Sequence, residues 1–211
     1  MSGPGVPHPP GLDATIVLVR HGESDWITKG LFQGQGDSPL SPLGRRQAGL
    51  VARRLVEAHR PPVLPIPRRL PSAIVHSPLG RATETAQAIA AAFAAPAATR
   101  GPGTFATPAA IPLLPEPAFL EIGQGEWEGV PGREIEARWG DVLRTWREDP
   151  LRAWAPGGES LPDVDARVRD GLTRLLERLA TEPPIAPADR TPVLGYADEH
   201  GPREVRRLVG V

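Results

Sequence analysis

The stretch Thr15-Ile16-Val17-Leu18-Val19 runs directly into Arg20-His21-Gly22-Glu23-Ser24, and the fold is predicted from this junction. An apolar run of this length, rich in valine and isoleucine, is typical of a buried parallel strand. Ligands of open α/β sheets bind beyond the carboxyl ends of the strands, so Arg20 and His21 are placed where such proteins bind their ligands. Gly22 is expected to let the backbone turn sharply at this point.

Arg20 and His21 together have the residue types that phosphoryl transfer needs. A guanidinium is always charged, and its planar fork of donors matches phosphate oxygens. A histidine, with an ordinary pKa near 6.5, can be a neutral nucleophile at physiological pH. It can attack phosphorus while the guanidinium holds the phosphoryl oxygens. From these two residues alone, a plain loop histidine without a role is an equal alternative.

Composition narrows the function classes. A chain of 211 residues fits one domain with a full core. The net charge of -1 gives no electrostatic case for nucleic acid or a membrane surface as partner. The absence of cysteine excludes a disulfide framework, a thiol nucleophile and a Cys-based metal site. No stretch resembles a signal peptide or a membrane span, so we expect a cytoplasmic protein.

The expected organisation is one domain over residues 14–211, preceded by a disordered tail over residues 1–13. Residues 94–117 are dense in alanine, proline, glycine and threonine, and are long for a connection in a compact domain. They are interpreted as an Ala/Pro-rich insertion, either a mobile one near the site or an inert spacer.

Two Ser-Pro pairs predict helix starts, because serine caps a helix and proline suits its first position. Ser41-Pro42 opens the first of these helices. Ser77-Pro78 opens the second, and Arg81 lies in its first turn. A cation is unfavourable at the positive end of a helix unless an anion is bound nearby, so Arg81 is a second candidate for holding phosphate. His76 ends the short strand before it and is interpreted as structural.

Three further elements follow along the chain. Residues 131–148 are predicted to form a helix with five apolar side chains inward: Ile135, Trp139, Val142, Leu143 and Trp146. Ser160 and Asp163 approximate a capping box at the start of the next helix. Residues 192–196 are a plausible last strand, leading to His200-Gly201.

The chain resembles the histidine phosphatase superfamily, which is also called the phosphoglycerate-mutase-like family. Five stretches in the family's order carry the resemblance, and together they are far more specific than any one alone: Leu18-Val19-Arg20-His21-Gly22-Glu23-Ser24; Phe32-Gln33-Gly34-Gln35 with Asp37-Ser38-Pro39-Leu40-Ser41; Ser77-Pro78-Leu79-Gly80-Arg81-Ala82 with Thr85-Ala86; Leu120-Glu121-Ile122 with Gly125-Glu126-Trp127-Glu128-Gly129; and Pro156-Gly157-Gly158-Glu159-Ser160.

The resemblance implies a three-layer α/β/α sandwich with a mostly parallel central sheet and a phosphohistidine mechanism without metal or cofactor. His21 corresponds to the nucleophile, and Arg20 and Arg81 to the phosphate clamp. Glu121 corresponds to the acid that protonates the leaving oxygen and then acts as base for water. Burial beside Leu120 and Ile122 is expected to raise the pKa of Glu121.

Substrate binding is assigned to five residues: Arg20, Ser24, Gln33, Gly34 and Arg81. The family usually has asparagine where this chain has Ile27, which cannot donate a hydrogen bond. Weaker phosphate binding or a substitute donor is expected, with four candidates: Gln33, Gln35, Ser24 and Lys29.

The resemblance also implies a second catalytic histidine directly after the last core strand, which would fall near Asp198. His200 lies about two residues later and is assigned that catalytic role as the only histidine within reach.

The segment after Glu121 is similar to the phosphatase branch rather than to the mutases. The predicted function is a metal-independent phosphomonoesterase acting on a small phosphorylated metabolite. Sugar phosphates, phosphoglycerate derivatives and α-ribazole phosphate all fit. Two alternatives stay open: a phosphoglycerate mutase, and a catalytically impaired phosphate-binding homologue. The oligomeric state is unknown, with a homodimer as one option.

Overall fold

A computed structural model describes residues 9–67, 70–96 and 110–181, together with the backbone of residues 205–210. The strands are β1 (Asp13–Leu18), β2 (Ala73–His76), β3 (Leu113–Pro115) and β4 (Val205–Gly210). The helices are α1 (Asp25–Thr28), α2 (Pro42–Val56), α3 (Gly80–Ala94), α4 (Gly132–Glu148) and α5 (Leu161–Thr181), with 3-10 turns at Pro117–Phe119 and Gly125–Trp127.

The four strands form one parallel sheet in the order β1-β4-β2-β3. Ile16 is level with Leu208, and Ile74 is level with Val209 on one side and Leu113 on the other. Because the strands are parallel, the residues that follow β1 and β2 meet at the same edge of the sheet. The predicted position of His21 at a ligand-binding edge follows from this topology.

The sheet is covered on both faces, which makes the three layers of the predicted sandwich. In β2, Ile74 packs with residues of α2 and α3, such as Leu55 and Ile89. The neighbouring Val75 points to the other face, where it packs with Leu176 of α5. This alternation of β2 between two covered faces confirms the predicted α/β/α architecture.

A third apolar cluster lies outside the sheet and is built around α4. Trp127 is fully buried there, with Ile135 and Leu143. The rings of Trp127 and Phe32 meet edge to face at 5.7 Å between centroids. The helix predicted over residues 131–148 is therefore confirmed, although its backbone is kinked at Trp139.

Two predicted helix caps are confirmed. The Ser41 hydroxyl accepts a hydrogen bond from the Gly44 amide at 3.0 Å, and Pro42 is the first residue of α2. At α5, the Asp163 amide donates to the Ser160 hydroxyl at 3.3 Å, and the Asp163 carboxylate accepts from the Ser160 amide at 3.1 Å. Ser160 and Asp163 thus satisfy each other's main-chain donors, as a capping box requires.

The Ser77-Pro78 prediction was wrong in position. Helix α3 starts at Gly80, with Leu79 as a cap that makes no side-chain hydrogen bond. Its first amide, on Gly80, donates to the Asp37 carboxylate at 2.7 Å. The anion at this helix terminus is therefore an aspartate from another loop, which offsets the unfavourable position of Arg81 in the first turn.

The expectation that β1 is buried was also wrong on one face. Leu18 is 85% exposed and Ile16 is 39% exposed. Among the described residues, β1 pairs only with β4, so it lies at an edge of the sheet. In front of the strand, Leu12 is buried beside α5 and Asp13 already pairs with Val205, so these two residues lie in the folded part rather than in a tail.

Strand β3 lies within the stretch interpreted as an insertion. It pairs with β2, since the Ile74 amide donates to the Pro112 carbonyl and the Glu116 amide to the His76 carbonyl, both at 2.9 Å. This strand was not predicted from the sequence because of its proline residues, since proline is tolerated in a sheet only at an edge or a strand end. Residues 97–109 of the predicted insertion lie outside the described part.

The predicted strand over residues 192–196 and His200 lie outside the described residues. Strand β4, which fills the position between β1 and β2, follows both in the chain. None of the described helices is long and apolar enough to cross a membrane.

Candidate active site

His21 follows β1 and is half-buried. Its Nδ1 lies 2.7 Å from the Gly22 carbonyl oxygen, so Nδ1 carries the proton and Nε2 keeps its lone pair. Burial lowers the pKa of His21 below 6.5, and the positive charges of Arg81 and Arg20 act in the same direction, against opposing effects of the Gly22 carbonyl and Glu121. The ring is therefore held as a neutral imidazole with a free nitrogen, which is the state a nucleophile needs.

Position 22 requires a glycine because of a close contact, and not because of a turn with positive φ. A Cβ on Gly22 would lie 2.3 Å from the carbonyl oxygen of Gly44 in α2. The Gly22 amide donates to the hydroxyl of Thr85 in α3 at 3.3 Å, and that hydroxyl donates to the Arg81 carbonyl at 2.8 Å. Helices α2 and α3 thus fix the backbone next to His21.

Arg81 is almost fully buried, at 1% exposed. Its Nη2 donates to the Gly34 carbonyl at 2.8 Å and its Nη1 to the Gly36 carbonyl at 3.1 Å. Burial lowers the pKa of Arg81, and the carboxylates of Glu121 and Asp37 oppose this shift. The guanidinium stays charged, since arginine does not deprotonate in proteins. Arg81 therefore supplies a fixed positive charge next to His21 and also supports the loop over residues 33–37.

A cavity of about 420 Å³ opens beside His21. Arg20 lies in its wall and is exposed, so its guanidinium is available to an anion. Ile27, 48% exposed, lines the same cavity. The position at which the family usually has asparagine is thus an apolar contact in the wall. The other lining residues come from the loop after β1 and from α2: Gly22, Glu23, Gln47, Ala48 and Val51.

Ser24 and Gln33 are brought together, but Ser24 does not face the cavity. Ser24 is fully buried. Its hydroxyl donates to the Gln33 side-chain carbonyl and accepts from the Ile27 amide at 3.3 Å. This placement corrects the assignment of Ser24 as a substrate ligand, because both functions of its hydroxyl are used within the protein. Ser24 instead orients Gln33.

Gly34 is placed by Glu128. A Cβ on Gly34 would lie 2.3 Å from Glu128 Oε1. The same oxygen accepts hydrogen bonds from the amides of Gln35 and Gln124, both at 2.9 Å. One carboxylate thus joins the loop that contains Gly34 to the segment that follows Glu121. The carboxylate of Glu128 therefore holds these two loops together.

Glu121 is exposed, and the expected burial beside Leu120 and Ile122 is not found. Its Oε1 accepts a hydrogen bond from the Ile122 amide at 3.0 Å. The carboxylate acts electrostatically on both His21 and Arg81, so it belongs to the same site. Because this carboxylate is exposed, water can reach it at a position close to the nucleophile.

Residues 16–186 match the sequence profile described as histidine phosphatase superfamily (branch 1), which is most of the chain. The chain belongs to the histidine phosphatase superfamily. The resemblance found from the five sequence stretches is thereby confirmed.

Other members of the superfamily match over most of this chain. Phosphoserine phosphatase 1 of Hydrogenobacter thermophilus is 31% identical over 163 residues, which cover 77% of this chain and 64% of that protein. Glucosyl-3-phosphoglycerate phosphatase of Mycobacterium tuberculosis is 34% identical over 175 residues, 82% of this chain and 64% of that protein. The chain therefore spans less than two thirds of the length of either phosphatase.

Solved structures of this superfamily share the fold. YhfR of Bacillus stearothermophilus aligns with a TM-score of 0.63 at 25% identity, covering 93% of this chain and 73% of that one. A mycobacterial glucosyl-3-phosphoglycerate phosphatase solved as a complex with VO3 aligns with a TM-score of 0.59 at 28% identity, covering 93% of this chain and 74% of that one.

The histidine phosphatase site thus brings together His21, Arg81 and Glu121 of the predicted residues, with Arg20 in the cavity wall. Within residues 9–67, 70–96 and 110–181, no group of three histidine or acidic side chains is placed to hold a metal ion. The structure adds Thr85 and Glu128 as residues that fix the site, and also Arg167 of α5, which donates to the Glu121 carbonyl.

Proposed function

We propose that the chain is a phosphomonoesterase that works through a phosphohistidine on His21. The observation that carries this proposal is the state of the His21 ring: Nδ1 is bound to the Gly22 carbonyl at 2.7 Å, and two arginine charges favour the neutral form. A neutral imidazole with a free Nε2 beside a buried guanidinium is suited to attack on a phosphate monoester.

In the first step, His21 Nε2 forms a bond to phosphorus and the ester P–O bond breaks. Arg20 and Arg81 hold the phosphoryl oxygens, whose charge is spread over the transition state. Glu121, in its protonated form, gives its proton to the leaving oxygen, so an alcohol departs. In the second step, the Glu121 carboxylate takes a proton from water, the water oxygen bonds to phosphorus, and the P–N bond breaks to release inorganic phosphate.

The exposed Glu121 favours hydrolysis over mutase chemistry. A mutase has to keep water from its phosphoenzyme, whereas a phosphatase has to admit water. A 2,3-bisphosphoglycerate-dependent phosphoglycerate mutase of Bartonella henselae is 31% identical over 159 residues, covering 74% of this chain and 66% of that protein. The mutase is therefore the second candidate, and it predicts phosphoglycerate isomerisation that depends on bisphosphoglycerate.

A small phosphorylated metabolite is the proposed substrate class. The cavity of about 420 Å³ is within the ordinary range for small-molecule sites. His200 keeps its proposed role as the second catalytic histidine, and we propose that neither metal nor cofactor is needed.

The testing experiment is p-nitrophenyl phosphate hydrolysis in EDTA near pH 6, with the wild type, His21→Ala and His200→Ala. We expect turnover that survives EDTA and is lost in His21→Ala. Loss in His200→Ala as well supports its assignment. Equal turnover in the wild type and His21→Ala overturns the phosphohistidine mechanism. Vanadate binding without turnover in the wild type favours the narrow mutase or the impaired homologue.

A further inference from the structure

Arg167 of α5 binds the main chain of the segment that contains Glu121. Its Nη1 donates to the carbonyls of Ala118 and Leu120, both at 2.8 Å. Its Nη2 donates to the Glu121 carbonyl at 3.0 Å. One side chain therefore ties down three carbonyls within four residues, in a segment that belongs neither to a strand nor to an α-helix.

Glu159 completes this attachment from the other side. Its carboxylate accepts from Arg167 Nε and Nη2, both at 2.8 Å, in a bidentate pair. The same carboxylate accepts from the Gly123 amide at 2.7 Å, while the Glu159 amide donates to the Gly123 carbonyl at 2.8 Å. These contacts lower the pKa of Glu159, with Arg167 as the largest cause. Both main-chain groups of Gly123 are thus fixed by one residue.

The side chain of Glu121 has little of its own to hold it. It is exposed, and the hydrogen bond that its carboxylate accepts comes from the adjacent Ile122 amide. The position of the carboxylate is therefore set by the backbone that carries it. Displacing a catalytic group by about 1 Å can cost about 100-fold in rate, so this backbone matters to the reaction.

Gln35 links the same pair to the loop that contains Gly34. Its Nε2 donates to the Glu159 carboxylate at 3.1 Å and to the Glu121 carbonyl at 3.2 Å. The segment of Glu121 and the loop supported by Arg81 are therefore held in one hydrogen-bonded unit.

We propose that Arg167 and Glu159 are positioning residues that fix the general acid Glu121 relative to the phosphoryl group. They act through the main chain of residues 118–123 and do not touch the substrate. This inference rests on the proposed function, since it requires Glu121 to protonate the leaving oxygen.

The inference predicts an effect that depends on the leaving group. An alkoxide leaving group needs the proton from Glu121, whereas 2,4-dinitrophenolate is stable enough to leave without it. Loss of the positioning pair should slow the first step, transfer of the phosphoryl group to His21, for alkyl phosphates and leave that step nearly unaffected for activated aryl phosphates. A merely structural role for Arg167 would slow both substrates equally.

The test compares kcat/KM on glycerol 2-phosphate and on 2,4-dinitrophenyl phosphate, with vanadate affinity measured alongside. This ratio reports formation of the phosphohistidine and not its later hydrolysis, in which Glu121 acts as base for both substrates. For Arg167→Met we expect about a 100-fold loss on the alkyl ester, the lower end of general acid catalysis, and less than about threefold on the aryl ester. Glu121→Gln should show the same pattern. Arg174→Met is the matched control on α5, because Arg174 binds Asp170 and Glu116 instead, and it should match the wild type on both esters.

Two milder variants keep the test decisive if Arg167→Met does not fold. Arg167→Lys keeps the charge with fewer donors, and Glu159→Gln keeps an acceptor for the Gly123 amide. Both should show a smaller loss that is again confined to the alkyl ester. An equal loss on both esters in these variants overturns the inference. Full activity of His21→Ala on either ester would instead overturn the proposed function.

Discussion

Two histidines lie at the carboxyl ends of two strands of the same parallel sheet, β1 and β2, in nearly the same local geometry. His21 follows β1, and its Nδ1 lies 2.7 Å from the carbonyl of the next residue, Gly22. His76 ends β2, and its Nδ1 lies 2.8 Å from the carbonyl of the next residue, Ser77. The hydrogen bond that fixes the tautomer is therefore common to both strand ends and does not by itself make a nucleophile.

The surroundings separate the two residues. His76 is 5% exposed and has the Thr83 hydroxyl 3.4 Å from its Nδ1. His21 lines a cavity with Arg20, and the charge of Arg81 acts on its ring. The lesson is that access and neighbouring guanidinium groups, rather than ring geometry, give one strand-end histidine its chemistry.

The largest expected effect comes from exchanging each histidine for alanine. His21→Ala should lose at least about 10³-fold in kcat on p-nitrophenyl phosphate, because no other group replaces the nucleophile. His76→Ala should keep kcat within about twofold and lose about 1–2 kcal/mol of unfolding free energy through a buried contact. Steady-state kinetics and urea unfolding measure both. A comparable loss of kcat in the two variants would contradict the assignment of His21 as nucleophile and His76 as a structural residue.

Removing Arg81 should be next in size. Arg81→Met is expected to lose about 100-fold in kcat/KM and to weaken vanadate binding, because a fixed charge at the phosphoryl oxygens is lost. Arg45→Met is the matched control, since Arg45 is exposed on α2 and pairs with Glu84. Vanadate titration monitored by tryptophan fluorescence gives the affinities. Undiminished vanadate affinity in Arg81→Met would remove Arg81 from the phosphate site.

A smaller effect is expected at Ile27. Ile27→Asn adds a hydrogen-bond donor to the cavity wall and should tighten phosphate binding about fivefold, close to 1 kcal/mol. Leu43→Asn is the control, because Leu43 is also exposed but lies outside the cavity lining. Inhibition constants for inorganic phosphate measure the change. An equal gain in both variants would point to a general effect of polarity.

The smallest effect is a shift in titration. The pKa of His21 should lie below 6.5, because burial and the two arginines disfavour the charged ring. The sign means that His21 stays neutral, and competent as a nucleophile, as the pH falls through 6.5. Arg81→Met should raise this pKa, since one unfavourable charge is removed. NMR titration of the ring protons, assigned with His21→Ala, measures both values, and a pKa above 6.5 in the wild type would contradict the expectation.

The sequence predicted those parts of the molecule that depend on local chemistry. The strand that leads to His21, the cap at Ser41 and the capping box of Ser160 with Asp163 all follow from short-range preferences. Covering both faces of β2 follows from its apolar run. The family motifs added Glu121. They also joined Arg81, already a candidate from its place near a helix start, to the same site as His21.

What the sequence could not show depends on contacts between distant segments. Nothing local in α5 distinguishes Arg167 from its other arginines, because the carbonyls that it binds lie 46 to 49 residues earlier in the chain. The hydrogen bond between the Asp37 carboxylate and the first amide of α3 could not be predicted for the same reason, since these residues are far apart in the chain. The exposure of Glu121 also depends on how its loop is held. The apolar neighbours Leu120 and Ile122 led to the wrong prediction that Glu121 is buried.

The prolines around β3 have a consequence for association between chains. The Pro112 carbonyl and the Glu116 amide face β2, so the main-chain groups of Leu113 and Pro115, which alternate with them, point away from β2. Proline has no N–H, so this outer side offers few donors to a foreign strand. The described sheet ends here at an edge that resists growth by strand addition, a natural barrier to aggregation.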